Sequence, residues 1–124
     1  MLIYKGENAT NAGLYSVPGS RCRPGETPAA CAVREAMEEA SVFVRVVREL
    51  GNFVSKVKGI PMHGYLFESE IISGIPAPSG GTLAVAWATL THIEELQKRD
   101  LMIEGRLCEA IKCSLNGNKI SAAY

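Results

Sequence analysis

The alternation of apolar and polar residues divides the chain into short extended pieces and three helical stretches. Leu2 to Lys5 reads as a short strand and Leu14 to Val17 as a brief extended piece. Between them Gly6 to Gly13, with Asn8, Asn11 and two glycines, is a loop. Pro18 to Glu26, rich in Gly, Pro and Arg, is an ordered loop. At Thr27 the period changes. Thr27 is a helix N-cap and Pro28 suits the first helical position. Ala29, Val33, Ala36 and Ala40 then recur as an apolar stripe, with the helix ending near Ser41. Phe43 to Arg48, Asn52 to Lys58 and Met62 to Ile72 read as strands, with Gly59-Ile60-Pro61 as a turn. Ser73 to Gly81 is a Pro/Gly/Ser-rich loop, and Leu83 to Thr89 is an apolar strand containing Trp87. Thr91 and Glu94 have the spacing of a capping box, predicting a helix from Thr91 to Lys98. Ile103, Leu107, Ala110 and Ile111 share one side of a last helix, Ile103 to Leu115, which Asn116-Gly117 stops. This order of elements predicts an α+β fold, an α/β/α sandwich with a mixed β-sheet flanked by helices. No repeat or linker interrupts it, so residues 1–124 are expected to form one domain.

Composition narrows the function. A chain of 124 residues with 47% hydrophobic and 21% charged residues suits one globular core. Thirteen basic residues balance thirteen acidic ones. No global field favours DNA, long RNA or a membrane, and an anionic ligand would need local help from a metal or a few bases. Cys22, Cys31, Cys108 and Cys113 have no CxxC or zinc-like spacing and read as ordinary small thiols. Lys5 and Gly6 follow the opening apolar residues at once, so no signal peptide is expected, and no apolar run is long enough to span a bilayer. A reducing cytoplasm is the expected location.

The candidate chemistry lies in Gly19 to Val42, GSRCRPGETPAACAVREAMEEASV. Successive helical residues turn by about 100°. Glu35, Glu38 and Glu39 therefore cluster on one helical face, roughly opposite the Ala/Val stripe. Three neighbouring carboxylates repel one another. A hard divalent cation would relieve that repulsion, and carboxylate oxygens are what Mg²⁺ prefers. The same residues also fit a solvated acidic face in which Arg34 and Glu38 form a simple ion pair.

The stretch resembles the Nudix box, G-x(5)-E-x(7)-R-E-U-x-E-E-x-G-U with U aliphatic. Glu26 matches the first Glu, Arg34-Glu35 the R-E pair, Glu38-Glu39 the E-E pair and Val42 the last aliphatic. Leu14 to Gly19 resembles the aromatic-x-x-Pro-Gly run leading into the box. Pro24-Gly25-Glu26-Thr27 resembles its P-G-E-[ST]. Trp87 to Thr91 with Glu94-Glu95-Leu96 resembles the family's later strand-to-helix segment. The resemblance implies hydrolysis of the pyrophosphate link in a nucleoside diphosphate joined to another group. It also implies Mg²⁺ or Mn²⁺ bridging phosphate oxygens and activating water. By position Glu38 and Glu39 are direct ligands, Glu35 is a ligand or the base that orients the water, and the Gly19 carbonyl is a further ligand. Glu26 is a supporting carboxylate with Arg34 as its partner.

Four departures from the family pattern set further expectations. Ser20 replaces the opening Gly in a tight loop. Ser41 replaces the helix-ending Gly, where a left-handed end costs a non-Gly residue roughly 1 kcal/mol. Ala36 replaces a larger aliphatic residue. Family members usually carry a strand and a half ahead of Leu2, so a partner chain in a homodimer is expected to complete the sheet, unless the fold tolerates the loss or the natural start lies further upstream. A further gap concerns the base: the loop before the Trp87 strand, Ser79 to Leu83, has no acid, which leaves Glu35, an unidentified carboxylate or no base at all. Glu68 and Glu70 share one strand face, and Glu94 is assigned to a helix cap.

Several other residues bear on substrate contact. Arg21 and Arg23 suit phosphate as well as solvent. Tyr15 suits base stacking as well as core packing. His63 is a substrate contact or a polar strand residue, His92 an exposed one, and Cys31 a neutral thiol lining the metal cleft. The leading function is a metal-dependent pyrophosphohydrolase. The alternatives are a catalytically weak or inactive Nudix-like nucleotide-binding module and a truncated chain with an incomplete fold. Oxidised nucleoside triphosphates, ADP-ribose, dinucleoside polyphosphates and capped RNA ends remain open as substrates, because specificity lies in loops such as Ser73 to Gly81.

Overall fold

A computed structural model of the chain describes residues 1–6, 12–57, 59–115 and 122–123. The elements run β1 (Leu2–Lys5), β2 (Tyr15–Ser16), α1 (Pro28–Ala40), β3 (Phe43–Val57), β4 (Ile60–Ser73), β5 (Thr82–Ala86), α2 (Leu90–Lys98), α3 (Arg106–Leu115) and β6 (Ala122–Ala123). Two three-stranded antiparallel sheets form, β2-β1-β5 and β3-β4-β6. The expected mixed sheet is not formed among the described residues: every strand pair is antiparallel, and the parallel contact between Tyr15 and Met102 is an isolated bridge.

Side-chain alternation in the strands separates two cores. In β1, Leu2 joins Val17, Leu66, Ile93, Met102, Cys108 and Ile111, the layer under α2 and α3. Its neighbours Met1 and Ile3 join Ala36, Ala40, Val42 and Val44, the layer under α1. In β4, Leu66 faces the first layer while Phe67 meets Ala32 of α1. Strands buried on both faces, with helices on each, make the expected α/β/α sandwich. No helix among the described residues is long and apolar enough to cross a membrane.

Several boundaries differ from expectation, each for a physical reason. The two strands predicted over 43–58 are one continuous strand, β3. Its register shifts at Val46/Arg48 and Glu49/Gly51 absorb the residues that break the alternation. Ile60 and Pro61, predicted as turn, belong to β4, because Val57 pairs with Ile60 and leaves a two-residue connection. Gly59 in that connection has φ 79°, which glycine tolerates without strain. The predicted strand Leu83 to Thr89 stops at Ala86. Thr89, not Thr91, caps α2: its hydroxyl accepts from the His92 N–H at 3.3 Å, while His92 Nδ1 accepts from the Thr89 N–H at 3.1 Å. Glu94 is therefore not the cap residue, and His92, though exposed, completes the capping box. A start at Thr89 places Ile93 in the core. The last helix begins at Arg106 and not at Ile103, whose N–H bonds the Tyr15 carbonyl at 2.9 Å. Asn8, Asn11, Lys58 and the Asn116-Gly117 stop lie outside the described residues.

Candidate active site

Helix α1 carries the acids, and local chemistry places it. The Thr27 hydroxyl accepts from the Ala30 N–H at 3.2 Å and Pro28 opens the first turn. At the other end Ser41 is left-handed, with φ 60° and ψ 28°, and donates its N–H to the Met37 carbonyl. Ser20, by contrast, is not among the positive-φ residues, so its replacement of Gly brings no left-handed strain.

The three glutamates do not form one solvated face opposite the stripe. Glu35 and Glu39 are 5% and 7% exposed, whereas Glu38 keeps 45% of its side chain exposed. The reason is that α1 is covered on two sides. Ala32, Ala36 and Ala40 pack on the β3–β4 hairpin and β1, and the adjoining face with Cys31, Glu35 and Glu39 is also buried. Buried carboxylates need partners. Glu39 accepts the Gly19 N–H at 2.8 Å and pairs with Lys5. Glu35 accepts from Arg34 Nη1 at 2.7 Å, and the same nitrogen reaches Glu38 at 3.0 Å. Arg23 meets the other Glu38 oxygen at 3.3 Å in an exposed pair.

Arg34 is the hub. It grips Glu26 with two parallel bonds, Nε and Nη2 each 2.8 Å from a carboxylate oxygen. The Arg34 guanidinium, with help from the Arg23 N–H, holds the Glu26 carboxyl down at about 2. The same bonds push the Arg34 pKa above its already high ordinary value. Loop 18–26 is thereby tied to α1: the Arg34 Nη2 also donates to the Arg21 carbonyl at 3.4 Å, and the Cys31 thiol donates to the Ser20 carbonyl at 3.7 Å. Burial pushes the Cys31 thiol up to about 12, so it is neutral, as expected.

A second loop closes the other end of the site. Ser79 Oγ donates to the Glu38 carbonyl at 2.6 Å, the Ser79 N–H to the Glu39 carbonyl at 3.4 Å, and the Ala77 N–H to the Ala40 carbonyl at 3.0 Å. These are the carbonyls that a helix C-terminus leaves without partners. Loop 74–81 thus belongs to the site by holding the turn that bears Glu38 and Glu39.

Lys5 is the site residue that sequence reasoning missed. The β1–β5 ladder shifts register between Tyr4 and Lys5, an irregularity of the kind that re-aims a side chain. Burial lowers the Lys5 pKa and the nearby Glu35 charge opposes that shift. A lysine ending an apolar strand is the only signal the sequence offered.

The remaining candidates are not drawn together with the acids. Tyr15 packs on the Leu2 core and against the Tyr4 ring at 4.9 Å, the core-packing alternative. His63 is exposed, its Nε2 donates to Asn52 Oδ1 at 3.0 Å, and its ring stacks on Tyr65, both strand neighbours. Glu68 and Glu70 pair across the hairpin with Arg48 and Arg45. They share the face of Leu66, under α3, whereas Phe67 and Ile71 face α1. Arg21 is exposed beside Arg23 in loop 18–26.

Comparison with known proteins identifies the family and the fold. A family model described as the NUDIX domain matches residues 1–106. The crystal structure of the MutT protein from Methanosarcina mazei Go1 superposes with a TM-score of 0.67 at 22% identity, covering 76% of this chain and 69% of that one. The solution structure of the E. coli ORF135 protein gives 0.63 at 21% identity, covering 90% of this chain and 78% of that one. At such identities the likeness speaks for the fold, while the family match extends over strand, loop, acidic helix and hairpin alike. The chain therefore belongs to the NUDIX domain family, hydrolases of pyrophosphate bonds.

Proposed function

We propose that this protein is a divalent-metal-dependent hydrolase that cleaves the pyrophosphate bond of a nucleoside diphosphate linked to another group. The observation that carries the reading is the burial of Glu35 and Glu39 beside the half-exposed Glu38. A fold that only needed solubility would leave acids on the surface. The donor set is hard oxygen, the type Mg²⁺ and Mn²⁺ take, so the residues fit the ion. Glu35, Glu38 and Glu39 would hold it, with the Gly19 backbone beside Glu39. When bound, such an ion would supply charge neutralisation at the phosphates and a lowered pKa for the attacking water.

The chain's own residues do the rest. The Gly19 N–H fixes one oxygen of Glu39, and Arg34 orients Glu35, to which we assign the proton of the attacking water. The exposed Arg23–Glu38 pair is weak by nature, so Arg23 can exchange Glu38 for a phosphate, with Arg21 alongside. We place the protein in a reducing cytoplasm, in keeping with its free thiols.

One observation favours a second reading, binding without turnover. Lys5 already pairs with Glu39, and loop 74–81 uses Ser79 to hold α1 and offers no acid. The test is phosphate or pyrophosphate release from a nucleotide panel with Mg²⁺ and Mn²⁺, wild type beside Glu38→Gln. The expected result is metal-dependent turnover that falls by roughly 10²–10⁴-fold in the variant. A folded wild type that binds Mn²⁺ but turns over no substrate would establish the second reading.

A further inference from the structure

Two thiols meet outside the acid cluster. Cys22 is exposed in loop 18–26 and Cys31 is buried in the first half of α1. Their Sγ atoms and a carboxylate oxygen of Glu26 all lie within 4.8 Å of one another. The backbone on either side of Cys22 is held in place. The Arg21 carbonyl accepts from Arg34, and the Arg23 N–H donates to Glu26 at 3.0 Å. Cys22 is thus kept over Cys31 by the same guanidinium that ties the loop to the helix.

Two thiols and a carboxylate also suggest a zinc site. Arg34 argues against it. Its guanidinium already holds both Glu26 oxygens and comes within 3.8 Å of Cys31 Sγ. A dication would have to enter beside that charge and take Glu26 from its bidentate partner.

We propose that Cys22 and Cys31 form a reversible disulfide when the protein meets an oxidised low-molecular-weight thiol such as glutathione disulfide. The exposed Cys22, as thiolate, attacks one sulfur of the glutathione disulfide. That S–S bond breaks, a Cys22–glutathione mixed disulfide forms, and one glutathione leaves with the proton Cys22 gave up. Cys31 Sγ then attacks Cys22 Sγ, the mixed disulfide breaks, and a second glutathione leaves with the proton from Cys31. The two cysteines lose two electrons and the glutathione disulfide gains them. Burial raises the Cys31 pKa, which makes Cys31 the resolving thiol and the closing step the slow one. The new bond pins loop 18–26 to α1 and removes the S–H that the Ser20 carbonyl accepts, one residue from the Gly19 N–H on Glu39.

The experiment incubates purified full-length protein with excess glutathione disulfide, blocks remaining thiols with an alkylating agent and maps unreduced peptides by mass spectrometry. The expected product is a chain lighter by two hydrogens, with a Cys22–Cys31 linked peptide that dithiothreitol releases. Cys31→Ser is expected to stop at the glutathione adduct on Cys22. Cys22→Ser, a change at an exposed loop position, is expected to leave Cys31 unmodified. A lasting glutathione adduct on wild-type Cys22, an untouched Cys22, or cross-links to Cys113 or between chains in place of Cys22–Cys31 would overturn the proposal.

Discussion

At the residue scale the site turns on charge balance around Arg34. Four carboxylates, Glu26, Glu35, Glu38 and Glu39, are met by Arg34, Arg23 and Lys5. Arg34 alone reaches three of them, so its loss leaves the buried Glu35 without its guanidinium. Arg34→Ala is expected to destabilise the fold by about 2–4 kcal/mol in urea denaturation, the scale for breaking a largely buried pair. The Glu26 end of this network gives a pH signature. Its pKa falls from the ordinary 4.5 to about 2 in the fold, so its contribution to stability is complete above 4.5. That contribution is lost as pH falls from 4.5 toward 2. The Tm difference between wild type and Glu26→Gln should therefore be constant above pH 4.5 and shrink to nothing near pH 2. A difference that persists at the acid end would assign the effect to packing instead of charge.

At the element scale the C-terminus of α1 is the sensitive joint. Ser41 holds a left-handed conformation that costs a non-Gly residue roughly 1 kcal/mol, so Ser41→Gly should raise stability by up to about that amount. Gly74 lies against the same turn with φ 91°, and an added Cβ would stand 2.7 Å from the Ser41 carbonyl oxygen. Gly74→Ala should therefore cost about 1–3 kcal/mol and loosen the turn that bears Glu38 and Glu39. Chemical denaturation of the two variants tests both signs at once. The β3–β4 hairpin pairs from Phe43 to Val57 with three register shifts, which bend and twist the strand without ending it.

At the scale of the whole molecule, β5 is an edge strand of its sheet among the described residues. Leu83 on it and Trp87 just beyond are 64% and 58% exposed. Open strand edges with apolar side chains invite pairing with a second chain. We propose a homodimer joined along β5, to be checked by sedimentation, with Leu83→Lys expected to shift the balance to monomer. A wild type that sediments as a monomer at working concentration and melts cooperatively would remove this expectation.

What the sequence determined by itself is everything written in short-range spacing. Thr27 and Pro28 start α1 and Ser41 ends it, while the pairing of Glu26 with Arg34 was legible only through the resemblance to the Nudix box. Helix periodicity and capping act within a turn or two, so a linear pattern carries them. What only the tertiary structure decided is how the elements cover one another. The face of α1 that holds Glu35 and Glu39 became interior, Lys5 arrived on Glu39 from another strand, and loop 74–81 reached back to the carbonyls of α1. The choice of Thr89 over Thr91 as a cap followed from placing Ile93 in the core, and the Glu68–Glu70 face from which helix lies over the hairpin. These outcomes depend on contacts between residues tens of positions apart. Burial and pairing across such separations are settled by packing, to which local periodicity is blind.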